Sequence, residues 1–193
     1  MDFFEQVYRG RPPWDTGRPQ REFVALEASG EISGGVLDVG CGTGENALYL
    51  AGRGHAVLGV DLAPTAIALA RRKAADWGLA ATFLVRDVLD LAGIGRTFAT
   101  VIDSGLFHTL SDADRPRFVR SLADLLEPGG TYFMLAFSEL EPGEYSLPRR
   151  IARKEIRRAF AAGWRVDWIR AATFESSILP DGSRAWLLSI TRI

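Results

Sequence analysis

The sequence predicts an α/β fold: a doubly wound, mostly parallel sheet of seven strands, with a C-terminal antiparallel hairpin and an N-terminal helical lid. Three observations predict it. From Val36 onward, strand-like apolar runs alternate with helical patterns, as in a parallel sheet covered on both faces. The first run opens into V-L-D-V-G-C-G-T-G, a strand that turns on three alternate glycines into a helix. The last two runs, near Arg165–Phe174 and Ala185–Thr191, are joined by a segment with Pro180-Asp181-Gly182 that is too short for another crossover. The 193 residues, 47% of them hydrophobic, suffice for one domain with a real core. We read residues 1–193 as that domain, with 1–30 as the lid and 31–193 as the core.

The elements follow in order. Phe3, Phe4, Val7 and Tyr8 form an apolar stripe at helical spacing. Residues 10–19 form a rigid loop, because proline fixes φ and glycine supplies the bends. Glu22 to Leu26 starts a short helix. The first strand is Val36–Gly40, and Glu45–Arg53 continue as a helix. The second strand is Ala56–Asp61. The helix after it starts at Pro64, a good first-turn residue, and ends near Gly78. Arg71, Arg72 and Lys73 lie toward its C-terminus, where the helix dipole favours cations. Strands three and four are Thr82–Val85 and Ala99–Asp103. Ser111 and Asp114 have the spacing of a capping box for the next helix. Its apolar stripe is Phe118, Leu122, Leu125 and Leu126, and Pro128-Gly129-Gly130 stop it. Strand five is Thr131–Phe137. A last helix covers Ala152–Ala162, with Ile156, Ala159 and Phe160 inward and Gly163 as its stop.

The glycine turn separates two nucleotide readings. A dinucleotide fingerprint needs G-x-G-x-x-G. Gly40, Gly42 and Gly44 give G-x-G-x-G instead, and Glu45 would push negative charge toward a pyrophosphate. The P-loop ending in Gly-Lys-Ser/Thr is absent. Asp38 adds a second negative charge. The turn therefore suits a nucleoside that carries positive charge. Asp61, at the tip of the second strand, can hold both ribose hydroxyls.

D-x-G-x-G-x-G followed by such an acid resembles motifs I and II of the class I S-adenosylmethionine-dependent methyltransferases. Their fold is Rossmann-like, a seven-stranded sheet with one late strand antiparallel. The lid segment P-P-W-D-x-G-R-P resembles the thiopurine, halide and tellurite-resistance methyltransferase group. From Tyr8 through Trp186 the likeness is to small enzymes that methylate heterocyclic toxins such as hydroxyquinolones. The resemblance implies S-adenosylmethionine as cofactor and S-adenosylhomocysteine as product.

On that reading Gly40, Gly42 and Gly44 let the backbone approach the methionine part and the ribose. Asp38 helps orient the methionine ammonium, and Asp61 takes the diol. Asp87, at the third strand's tip, accepts from the adenine amino group while Leu62 and Val88 sandwich the ring. Ser104 touches the cofactor by backbone or hydroxyl. The resemblance also puts Trp14 against the cofactor, where an indole face near a sulfonium gains about 0.5–2 kcal/mol. Pinning the lid to the core is its other role, and both can hold together. His108 has two readings. As the catalytic candidate it accepts a proton, titrating near neutrality, or binds substrate; otherwise it caps or packs beside the next helix. Phe4, Tyr8, Phe107, Phe137 and Tyr145 are candidates to line the acceptor pocket. The segment Asp103–His108 lacks the N-P-P-Y or D-P-P-Y of amino-methylating enzymes. It also lacks the paired carboxylates of a magnesium-dependent catechol enzyme, so no metal is expected.

Bulk properties narrow the partners. Net charge is −1, from 23 basic and 24 acidic residues, so no global positive field favours nucleic acid. The basic stretch Arg149, Arg150, Arg153, Lys154, Arg157 and Arg158 reads better as a solvated outer face than as a nucleic-acid face. Cys41, the single cysteine, fits a small turn residue and a reducing cytoplasm. The N-terminus lacks a signal-peptide layout, and no apolar run approaches the roughly 20 residues that span a bilayer. The function expected is methyl transfer to O, N or S of a small aromatic or heterocyclic acceptor. RNA or protein methylation guided by residues 149–158, and a non-catalytic cofactor-binding module, are the alternatives.

Overall fold

The computed structural model describes residues 3–142 and 148–193. Among them, seven strands form one sheet: β1 (Val36–Val39), β2 (Val57–Asp61), β3 (Ala81–Val85), β4 (Phe98–Ser104), β5 (Leu126–Phe137), β6 (Trp164–Phe174) and β7 (Ser183–Arg192). Their spatial order is β3-β2-β1-β4-β5-β7-β6. The first five pair in parallel, and β7 runs antiparallel to both β5 and β6. β1 lies between β2 and β4, so the chain reverses its direction of travel across the sheet there. The crevice beyond the strand ends at such a reversal is where open α/β sheets hold ligands.

Side chains alternate between the two faces with period two. Leu37, Val39, Val101, Tyr132, Met134 and Leu188 belong to one core, with α5 (Arg115–Leu125), Ile156 of α6 (Arg153–Ala159) and Phe160 just past it. Val36, Ile102, Phe133, Leu135 and Leu187 belong to the other, with α2 (Arg21–Ala28), α3 (Glu45–Gly52) and α4 (Pro64–Asp76). Burial on both faces explains why the central strands read as continuous apolar runs.

Three boundaries differ from the sequence expectation. α5 begins at Arg115, not just after Ser111. The Ser111 hydroxyl donates to the Asp114 carboxylate at 2.6 Å and accepts the Asp114 N–H at 3.2 Å. The pair thus braces the turn before the helix instead of forming a capping box on it. β5 begins at Leu126, which pairs with Phe98 before the register jumps to Thr100 opposite Thr131. Pro128-Gly129-Gly130 lie in this irregular stretch, inside the strand. α6 ends at Ala159, and Gly163, at φ 79°, makes the turn into β6.

The N-terminal segment is fastened at both ends. Helix α1 (Phe3–Val7) lies against α4, where the Glu5 carboxylate accepts the Thr65 N–H at 3.1 Å and its hydroxyl at 2.5 Å. The N-cap of α4 is Ala63, which has no acceptor, so Glu5 supplies the missing cap from another part of the chain. At the other end, buried Gln20 exchanges two bonds of 2.9 Å with the backbone of Glu175, just past β6. The Glu175 carboxylate accepts the Arg21 N–H at 2.9 Å and a hydrogen bond from Arg18 at 3.0 Å. Gln20→Ala would leave both backbone groups of Glu175 without a partner. It should cost about 1–3 kcal/mol in denaturant unfolding. An unchanged midpoint and slope would mean that the clasp does not hold in solution.

Candidate active site

The glycine turn is closed by its neighbours. The Asp61 carboxylate accepts the Gly42 N–H and the Ala63 N–H, each at 2.9 Å, so one acid ties the turns after β1 and β2 together. Gly42 and Gly44 sit at φ 55° and 90°, in left-handed conformations that side chains rarely adopt. A side chain there would also crowd its neighbours. A Cβ at Gly42 would lie 2.6 Å from the Tyr8 hydroxyl, and one at Gly44 would lie 3.0 Å from the Phe83 ring. One at Gly40 would meet Leu106 at 3.0 Å. The three glycines thus let the lid, the α4–β3 layer and the loop after β4 converge on one turn.

Asp38 lies beneath that turn, fully buried, and neither carboxylate oxygen has a hydrogen-bond partner of good geometry. Burial, followed by the negative charges of Asp103 and Asp61, raises its carboxyl well above the ordinary range; the nearby Ala47 N–H offsets this only in part. A buried acid without partners at a strand tip is an incomplete site, and the chemical group that completes it is a cation with N–H donors. The ammonium of a methionine moiety fits that description. Glu45 has a different part from the one expected. It pairs with Lys73, whose ammonium also donates to the Thr43 hydroxyl at 2.8 Å and its carbonyl at 3.2 Å. Its charge is answered inside the protein, so the bias against an anionic ligand rests on Asp38 and Asp61.

The adenine-side candidates are spread along the β2 and β3 tips. Leu62, 44% exposed, follows Asp61 directly. Asp87 is exposed, and one of its carboxylate oxygens accepts the Leu89 N–H at 2.9 Å. Val88 is buried within the core on the α5 side, which leaves Leu62 as the more open apolar surface. Ser104, half-buried, is the last residue of β4.

Past β4 the chain is shaped by an acid to which the sequence reading gave no role. Asp103 is wholly buried and accepts the Tyr132 hydroxyl at 2.7 Å, the Leu106 N–H at 2.7 Å and the Phe107 N–H at 3.0 Å. Burial nevertheless raises its carboxyl to about 6, against the lowering effect of those bonds. These contacts wind Phe107–Thr109 into a single 3-10 turn. The turn sends Phe107 into the core, with its ring 6.2 Å from Phe118 and 5.9 Å from Phe160, so Phe107 does not line the acceptor pocket.

His108 points the other way. Its ring lies 4.9 Å from Phe137 and 5.9 Å from Phe174, and those two rings are 5.1 Å apart. Its Nδ1 accepts the Phe137 N–H at 3.2 Å. Burial, helped by the positive charge of Arg115, pushes the imidazole down to about 3, which corrects the expectation of titration near neutrality. Phe174 was missed because it ends a late strand and carries no local signal. Asp103 was missed because it reads like any other acid at a strand tip.

The lid roofs the same end of the sheet. Trp14 Nε1 donates to the Tyr8 hydroxyl at 2.9 Å, and Phe4 and Tyr8 each lie 6.2 Å from the indole, edge to face. Burial and the Asp61 charge push the Tyr8 phenol well up. Asp15, next to Trp14, accepts the Thr43 hydroxyl of the glycine turn at 3.1 Å. Tyr145 lies outside the described residues. In the basic stretch, Arg149 pairs with Asp112 and Glu155, and Arg153 stacks 4.1 Å over Trp186, so both serve internal contacts. Among the described residues, no group of three or more His, Cys, Asp or Glu could hold a metal, and no helix is long and apolar enough to cross a membrane.

A sheet of this order, with an acid lacking its counter-charge at the central strand's tip and a second acid, Asp61, tying the glycine turn one strand over, belongs to the class I methyltransferases. A family model for the methyltransferase domain matches residues 36–130. The chain is 40% identical over 182 residues to the 2-heptyl-1-hydroxyquinolin-4(1H)-one methyltransferase of Mycobacteroides abscessus, covering 89% of this chain and 80% of that protein. A structure solved in a study of disulfide-to-thioacetal conversion during echinomycin biosynthesis shares 39% identity and a TM-score of 0.90, over 98% of this chain and 90% of that one. Magnesium protoporphyrin IX methyltransferase from Synechocystis, with S-adenosylmethionine bound, shares the fold at a TM-score of 0.68 and 19% identity, over 100% of this chain and 85% of that one. The chain belongs to the S-adenosylmethionine-dependent methyltransferase family.

Proposed function

We propose that this enzyme methylates an O, N or S atom of a small aromatic or heterocyclic acceptor. The observation that carries this reading is the wall of His108, Phe137 and Phe174 at the ends of β4, β5 and β6, which begins at β4, the strand next to that of Asp38. A flat ring packs against such a wall. The relative from M. abscessus, named for a hydroxyquinolone, supports the same acceptor class. When bound, S-adenosylmethionine supplies an electrophilic methyl group on a sulfonium. The protein's part is then to orient and to exclude water. Asp38 accepts from the ammonium, Asp61 from the ribose hydroxyls and Asp87 from the adenine amino group. The backbone of Gly40, Gly42 and Gly44 approaches the ligand, with Ser104 beside it and Leu62 and Val88 flanking the base. The lid brings Phe4, Tyr8 and Trp14 over the site. The single cysteine is in keeping with a reducing, cytoplasmic setting.

The test is transfer of a labelled methyl group to a panel of hydroxy-, amino- and mercapto-heterocycles, with a structured RNA and a peptide pool in parallel. Label only in the RNA or the peptides would overturn the reading. A second expectation concerns Asp38. An ammonium bound beside its raised carboxyl favours the ionised form, so binding S-adenosylhomocysteine should release a proton at pH values where that carboxyl is protonated. Calorimetry in buffers of different ionisation enthalpy measures that release. It should vanish in Asp38→Asn.

A further inference from the structure

The imidazole of His108 is held by its neighbours in one orientation. Nδ1 faces β5, where it accepts the Phe137 N–H at 3.2 Å. A ring nitrogen that accepts a hydrogen bond carries no proton, so the neutral ring holds its proton on Nε2. Cε1, the carbon between the two nitrogens, is turned to Gly105; a Cβ there would lie 3.2 Å away. Gly105 follows β4, beside the strand tip that carries Asp103. Phe137 and Phe174 fix the ring, and Nε2 has no hydrogen-bond partner among the described residues. Leu106, two residues earlier, packs on Gly40 of the glycine turn, which puts this loop next to the cofactor end of the crevice.

We infer that His108 serves as a neutral hydrogen-bond donor through Nε2–H, selecting acceptors that reach the site already deprotonated at the atom to be methylated. This rests on the acceptor class proposed above and narrows it to acidic hydroxyls and thiols. The acceptor loses its proton to water before transfer. Its anion supplies the electron pair for the new bond to methyl as the methyl–sulfur bond breaks, and no proton moves in that step. His108 keeps its proton throughout. The charged surroundings agree with a donor role. Arg115 of α5 disfavours a second proton on the ring. Asp103, the acid at the tip of β4, is occupied with Tyr132, Leu106 and Phe107 rather than with the imidazole.

Two measurements test this. The chain has two histidines, so nitrogen-detected NMR of 15N-histidine protein, with His55→Gln for assignment, reports the His108 tautomer directly. A neutral Nε2–H ring from pH 8 to pH 5 is expected. A proton on Nδ1, or titration near neutrality, would overturn the proposal. This arm is independent of the acceptor's identity, so it stands or falls separately from the function proposed above. In the second arm, kcat/KM is followed against pH for two acceptors of well-separated acidity. The inflection should move with the acceptor. His108→Gln, which keeps an N–H donor, should stay within about tenfold of wild type, and His108→Leu should fall about a hundredfold. One inflection shared by both acceptors and absent from His108→Gln would make His108 the base and overturn the donor role.

Discussion

An Asp61→Ala protein should bind S-adenosylhomocysteine at least about a hundredfold more weakly than wild type. Two losses act together. The ribose diol would lose its acceptor, at about 1–3 kcal/mol. The Gly42 N–H, now held at 2.9 Å, would lose its acceptor as well, and the turn that shapes the site would slacken. Titration calorimetry measures the affinity, with thermal unfolding alongside to show that the variant is folded. Full affinity in a folded variant would rule Asp61 out as the diol partner.

Removing Asp103 should have the largest effect on the fold. In Asp103→Ala, the buried Tyr132 hydroxyl and the N–H groups of Leu106 and Phe107 would all lack an acceptor. A stability loss of about 3–5 kcal/mol follows. Turnover should fall with it, because the same three bonds set the loop that carries His108. Asp103→Asn separates charge from shape. Burial raises this carboxyl to about 6 in the folded protein, above its value in the unfolded chain. The folded state therefore binds the proton more tightly. The contribution to stability is greatest below about pH 4, declines as pH rises toward 6 and is level above that. Wild type should lose stability relative to Asp103→Asn across that window. Asp38, raised in the same direction, is present in both proteins. Parallel stability–pH curves would mean that Asp103 titrates normally.

What could be read from the chain follows from the range of the interactions. The β1 tip was legible because Asp38, three glycines and Asp61 lie within one strand–turn–helix–strand unit, where local sequence dictates the backbone. The closing hairpin was legible from the shortness of its connection. Phe107 and His108 are adjacent; the sequence reading placed Phe107 in the pocket and left His108 between a catalytic role and packing. The 3-10 turn that separates them is made by Asp103 and Tyr132 across two strands, and no local pattern reports it. The protonation of His108 likewise depends on Phe137, Phe174 and Arg115, which meet it only in three dimensions. The early start of β5 was hidden because Pro128-Gly129-Gly130 read as a stop when the chain uses them as an irregularity within the strand. Glu45 was taken as a free charge because Lys73, its partner, is on the next helix.

The clasp between Gln20 and Glu175 joins residues 155 positions apart. A contact of that separation closes a long loop, so it forms after the local contacts of the sheet. The lid's partners at Glu175 and Ser177 follow six of the seven strands, β1 to β6, along the chain. The other end of the lid has nearer partners: Glu5 binds Thr65, and Tyr8 packs with Ala63 and Ala66 at the start of α4. The cover over the glycine turn is thus completed late in folding, when Gln20 and Glu175 meet.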